Sequence, residues 1–270
     1  MDDRPIGVFD SGLGGLTTVR ELCRLLPEED IVYFGDTGRV PYGSRSRETI
    51  VKYARQDVAF LRTFDLKTIV IACGTVSTTA LDVLAAENPI PVLGVVAPAA
   101  RAAARATRSG SIGLIDTQAS IRSGAYERLI RAENPAARVL AQPCPLFVPL
   151  VENGRFRPGD VVIETVAAEY LAPLKAAGVD TLVLGCTHYP LLEKVIGAYM
   201  GPEVRLINSG AEGARAAADC LRERDALAGP GRGSCRCFVS DRQEDFSRLA
   251  STFLGWDVAQ AVEQVDISQY

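Results

Sequence analysis

Two cysteines stand where chemistry is easiest to place. Cys73 ends the run TIVIAC and is followed by Gly74, Thr75, Ser77 and Thr78; Cys186 ends TLVLGC and is followed by Thr187, His188, Tyr189 and Pro190. Small, capping residues and an early proline suit the start of a helix. A thiol between a buried strand and a helix start meets free backbone N–H groups, which attract anions. This predicts that both thiols lie below the ordinary cysteine pKa of about 8.5. His188 is the only histidine and lies two residues beyond Cys186, which makes it a candidate to polarise that thiol. A lone cysteine is more often a small core hydrophobe, and Cys23, Cys144 and Cys220 are assigned that role. Cys235 and Cys237 lack metal-ligand partners at suitable spacing, so they read as a loop and an edge strand, and no metal is expected.

Asp10 and the glycines after it form a second candidate. Asp10-Ser11-Gly12-Leu13-Gly14-Gly15 lies between a strand and a helix. The turn matches neither GxGxxG nor the phosphate loop, which needs a lysine after its last glycine. Asp10 at a strand end is placed to accept a bond from an ammonium group or to orient a cysteine. A further turn-rich loop, Gly35-Asp36-Thr37-Gly38-Arg39-Val40-Pro41-Tyr42-Gly43, is expected beside the first.

These residues need elements to hold them. Short β-branched runs predict strands over 6–10, 31–34, 68–72, 91–96, 112–115, 138–141, 181–184 and 237–240. Apolar spacing predicts helices over 16–26, 47–64, 79–86, 101–107, 121–132, 161–177 and 244–254. Strands alternating with helices mean βαβ units and a mostly parallel sheet, an α/β fold. The chain also repeats itself: IGVFDS (6–11) matches IGLIDT (112–117), and TIVIAC (68–73) matches TLVLGC (181–186). Two α/β halves facing each other would bring both Asp-Ser/Thr pairs and both cysteines to one cleft. Open α/β sheets bind ligands at that edge, beyond the carboxyl ends of the strands.

Composition narrows the rest. The net charge of −4 argues against a generally basic nucleic-acid binder. No apolar run approaches the roughly 18 residues of a membrane span. The start MDDRPIGVFDSG has no basic segment leading into an apolar one, so no secretion signal is expected. Seven cysteines without scaffold-like spacing point to reduced thiols and a cytoplasmic location.

GVFDSGLGGLTTV, YFGDTGRVPYGSRS, ACGT, CPLFVPLVENG and LGCTHYPLL occur in this order. Together they resemble the glutamate racemases, and the likeness runs over nearly the whole chain. The resemblance implies two pseudo-symmetric α/β domains with the active site between them: residues 1–97 plus 210–270, and residues 98–209. It implies interconversion of L- and D-glutamate without a cofactor, supplying D-glutamate for peptidoglycan, and a homodimer with no nucleic-acid or membrane partner. Cys73 would take the α-proton of D-glutamate, helped by Asp10. Cys186 would take that of L-glutamate, helped by Glu152 and His188. Asp10, Ser11, Tyr42, Gly43, Gly74, Thr75, Thr117, Thr187 and His188 would bind substrate.

Three positions depart from the family pattern. Gly74 stands where Asn is usual after the first cysteine. Asp116-Thr117 replaces Gly-Thr, and Asn208-Ser209-Gly210 replaces Asp-Ser-Gly. Other readings are racemisation of aspartate or a related amino acid, a hydrolase using Cys186 with His188, and a partner-binding regulator on a racemase scaffold.

Overall fold

The computed structural model describes residues 1–257 and 262–270, leaving aside the side chains of Asp245 and Arg248. Its described strands are β1 (Ile6–Asp10), β2 (Ile31–Gly35), β3 (Thr68–Ile71), β4 (Val92–Gly94), β5 (Ser111–Asp116), β6 (Arg138–Pro143), β7 (Thr181–Leu184), β8 (Arg205–Asn208), β9 (Cys235–Val239) and β10 (Val262–Gln264). They form two sheets, ordered β10-β9-β2-β1-β3-β4 and β6-β5-β7-β8. Every described strand pair is parallel. The expected α/β class therefore holds.

The sequence repeat reappears as topology. Four strands run in the order β2-β1-β3-β4 in one sheet and β6-β5-β7-β8 in the other. In each sheet the chain leaves the first strand (β1 or β5) toward one side and then crosses to the other. The point where strand order reverses lies between β1 and β3, and again between β5 and β7. In parallel α/β sheets a ligand crevice opens at this point. Asp10 and Asp116 end the first strand of each set; Cys73 and Cys186 follow the third.

Strands β1, β2, β3 and β7 are buried along their whole length. That accounts for their mostly apolar sequences, because helices cover both faces of a parallel sheet. Helix Leu16–Leu25 turns Leu16, Val19 and Leu22 inward, the i, i+3 and i+6 positions of one helical face.

Several boundaries move from their expected places. The strand expected over 91–96 ends at Gly94, and helix Val96–Ala106 begins five residues earlier than the expected 101–107. Pro98 falls in that helix's first turn, where its missing N–H has no intrahelical role. The helix expected over 121–132 is two helices, Gln118–Ser123 and Ala125–Glu133, parted by Gly124 at φ 65°. The strand expected at 237–240 begins at Cys235 and lies between β2 and β10, so it is interior rather than an edge.

Candidate active site

The loop after β1 wraps its own carboxylate. Asp10 is buried, and the Gly12 amide donates to its Oδ2 at 3.1 Å. Burial raises the Asp10 pKa, outweighing the nearby His188 ring and the amides of Gly15, Gly12 and Ser11, which favour the charged form. The glycine turn that resembles a phosphate cradle thus spends its free donors on Asp10. Beside it, Ser11 Oγ lies 3.3 Å from Cys73 Sγ. Cys73 is the N-cap of helix Gly74–Thr79, as its sequence setting predicts.

Cys186 has a different set of neighbours. Its Sγ is 3.7 Å from His188 Nδ1, and His188 Nε2 is 3.0 Å from Glu152 Oε1. An ionised carboxylate only accepts, so in the neutral ring Nε2 carries the proton and Nδ1 accepts from the thiol. Glu152 ends the short helix Phe147–Glu152, which the apolar spacing did not reveal. With only six residues and Pro149 inside it, this helix has no periodicity to read.

The expectation of low thiol pKa values is overturned. Burial pushes Cys73 up to about 12, with the nearby Asp10 carboxylate adding to the rise and the Ser11 hydroxyl opposing it. Burial also drives Cys186 well above the ordinary value, followed by the Asp116 carboxylate, while the His188 amide works against both. Desolvation of a thiolate is stronger here than the few helix-start amides that favour it.

The two halves meet closely at these loops. Thr75 Oγ1 and Thr117 Oγ1 are 3.1 Å apart, Thr17 Oγ1 donates to the Thr187 carbonyl at 2.9 Å, and Thr187 Oγ1 reaches Asp10 Oδ1 at 3.5 Å. Gly14 must be glycine: a Cβ there would fall 2.4 Å from Thr187 Oγ1 and 2.5 Å from His188 Nδ1. The result is a cleft of about 1610 Å³. Asp10, Ser11, Tyr42, Gly43, Cys73, Gly74, Thr75, Thr117, Glu152, Cys186, Thr187 and His188 all line it.

Two features were not foreseen. The Tyr42 hydroxyl donates to Asp36 and reaches Asp57 at 3.0 Å, where Arg39 also bonds both carboxylates. Tyr42 is nearly inaccessible to solvent, so its phenol braces the loop. Cys144, read as core, also borders the cleft, as do Arg45, Arg122 and Arg128. Asp116, the acid of the second Asp-Ser/Thr pair expected at the cleft, does line it and is wholly buried. Among the described residues, no cluster of three or more His, Cys, Asp or Glu is placed to hold a metal. No described helix is long and apolar enough to cross a membrane.

Paired α/β sheets with a thiol at the reversal point of each define the class, an amino-acid racemase. Residues 9–217 match the Asp/Glu/Hydantoin racemase family. The chain is 48% identical over 256 residues to a glutamate racemase of Geobacter metallireducens, covering 94% of each chain. Its fold matches the glutamate racemase isoform RacE1 of Bacillus anthracis with a TM-score of 0.93, at 38% identity and 98% coverage of both chains. It matches the glutamate racemase of Francisella tularensis, solved in complex with D-glutamate, with a TM-score of 0.92, at 37% identity over the full length of both. The chain belongs to the Asp/Glu/Hydantoin racemase family, among its glutamate racemases.

Proposed function

We propose that the cleft interconverts L- and D-glutamate by proton transfer between the α-carbon and two thiols on opposite sides. The observation that carries this reading is the placement of Cys73 and Cys186 at equivalent points of two repeated sheets, both lining one cleft. From L-glutamate, the Cys186 thiolate takes the α-proton. The Cys73 thiol then gives its proton to the opposite face of the near-planar carbanion and is left as a thiolate. From D-glutamate the roles reverse, and the proton count is conserved in each direction.

One thiol must be charged and the other neutral for every turnover. The raised thiol pKa values favour the proton-donating form in the empty cleft. The α-ammonium of a bound amino acid brings the positive charge that draws one thiol toward thiolate. Asp10 beside Cys73, and Glu152 through His188 beside Cys186, hold the two thiols in place. Carbanion stabilisation falls to fixed donors aimed at the α-carboxylate; the hydroxyls of Ser11, Thr75, Thr117 and Thr187 and the backbone at Tyr42, Gly43 and Gly74 are the groups available. The balance closes with the two thiols alone, so no cofactor enters the scheme.

The same reading includes two domains, 1–97 with 210–270 and 98–209, each built on one sheet. It places the enzyme in the cytoplasm as a homodimer, supplying D-glutamate for peptidoglycan, with a small-molecule substrate and neither nucleic acid nor membrane as partner. Optical-rotation assays on L- and D-glutamate, aspartate and glutamine test it. Turnover of glutamate above the others is expected, with both Cys73→Ala and Cys186→Ala losing racemisation. Equal or faster turnover of aspartate, or full activity in either variant, would overturn it.

A further inference from the structure

Asp116 occupies, in the second half, the place that Asp10 occupies in the first. It ends β5, which lies between β6 and β7 as β1 lies between β2 and β3. The backbone agrees in detail: the Asp36 amide donates to the Asp10 carbonyl and the Cys144 amide to the Asp116 carbonyl, each at 3.0 Å. The residue before each cysteine differs. Ala72 precedes Cys73, whereas Gly185 precedes Cys186. A Cβ on Gly185 would fall 2.5 Å from Asp116 Oδ2, so the missing methyl is what admits the carboxyl against the peptide next to Cys186.

The carboxyl is fully buried. Its Oδ1 accepts from the Thr117 amide at 2.6 Å, but its Oδ2 has no hydrogen-bond partner among the described residues. A buried carboxylate with a free oxygen holds its charge poorly. Burial pushes Asp116 up to about 7, against the Thr117 amide and the Ser120 and Thr117 hydroxyls. The titratable groups that feel its charge are Cys186, Cys144 after β6, Tyr126 on helix Ala125–Glu133 and Tyr189 in the turn after Cys186. All are neutral when protonated, so an ionised Asp116 holds each of them in that form. Of these, Cys186 and Cys144 border the cleft.

We propose that Asp116 is a positioning residue for the second thiol, a buried carboxyl whose gain or loss of a proton controls how readily Cys186 gives up its own. Charged, it keeps Cys186 as the thiol that donates to the carbanion. After taking a proton from solvent, it lets Cys186 become the thiolate that removes one. The role in catalysis rests on the two-thiol reading above, but the control of Cys186 does not.

The test is peptide-resolved alkylation of the intact enzyme by iodoacetamide across pH, comparing Cys186 with Cys73 in the unchanged protein, Asp116→Asn and Asp116→Gly. Losing the carboxylate removes a like charge, so the Cys186 midpoint is expected to fall by about one pH unit, roughly a ten-fold gain in rate near pH 7.5. The Cys73 profile should stay within about two-fold. The acid limb of kcat with L-glutamate, where Cys186 is the base, should move down with it. An unmoved Cys186 profile and acid limb in both variants would overturn the proposal, as would equal acceleration of both cysteines. A shifted Cys186 profile in an enzyme that does not racemise glutamate would leave the proposal standing and remove the reading of function.

Discussion

Cys186 is pulled in opposite directions. Burial and Asp116 favour the thiol, while the His188 amide and a bound ammonium favour the thiolate. Glu152 acts through the ring, fixing His188 at 3.0 Å so that Nδ1 faces the sulfur. Glu152→Gln keeps the shape but loses the charge that orients the ring. Steady-state kinetics should show kcat from L-glutamate falling on the order of 10²-fold with KM changed only a few-fold. A KM effect alone would make Glu152 a binding group instead. At this scale the sequence was informative about which side chains matter: Asp10, Glu152 and His188 all reach the cleft. It was misleading about charge, because a helix start can be read from residue types whereas burial of a thiol belongs to the tertiary fold. The turn of the Tyr42 hydroxyl into the Asp36–Asp57 cluster is tertiary in the same way.

The turn after β1 and the turn after β7 are the elements that set the gap between halves. Gly14 packs against Thr187 and His188 with no room for a methyl group. Gly14→Ala is expected to displace the Cys186 turn and lower kcat on the order of 10²-fold without unfolding the protein, measured by kinetics beside a thermal melt. An unchanged kcat would show that the gap is not set there. Asp116 also carries a stability signature. Burial holds its folded carboxyl up at about 7, above the ordinary aspartate value of 3.8, so the folded state binds more protons between those values. Stability from this residue is therefore lost as pH rises from about 4 to 7, by ~4 kcal/mol at most. Denaturant titrations should find Asp116→Asn more stable than the unchanged protein at pH 8 and level with it near pH 4. The alternating elements were legible because buried parallel strands are mostly apolar. The helix Ser209–Glu223 was not, since its inward face is mostly Ala and Gly, which carry little hydrophobic contrast.

Across the whole molecule, the end of the first sheet away from the cleft is locked by a different device. Lys67 and Glu29 pair there, both nearly inaccessible to solvent. Lys67 Nζ also donates to the Asp2 carbonyl at 2.7 Å, and Glu29 Oε1 accepts from the Ala228 amide at 2.8 Å. The pair ties the chain's start to the segment that returns from the second sheet. Lys67→Met leaves a buried carboxylate unpaired and should cost about 3–5 kcal/mol of stability, read by denaturant unfolding. The kcat of the folded fraction should be unchanged, because the pair lies off the cleft; a loss of kcat with full stability would contradict this. The repeat IGVFDS/IGLIDT with TIVIAC/TLVLGC made the two-sheet plan legible, and the matched strand orders bear it out. That the halves face one cleft was legible in the repeat; the particular contacts that join them, such as Thr75 with Thr117 and Thr17 with Thr187, were not, since they link residues far apart in the chain.

The central claim is that two thiols work from opposite faces of one carbon. Racemisation of L-glutamate in heavy water, stopped early, tests it most directly. A Cys186 thiolate that removes the protium and a separate Cys73 thiol already exchanged with solvent predict D-glutamate fully deuterated at Cα. The L-glutamate recovered should still be protiated, because a single-proton thiol can return only the proton it took. D-glutamate that retains protium at Cα would mean one base serving both faces, and would contradict the account.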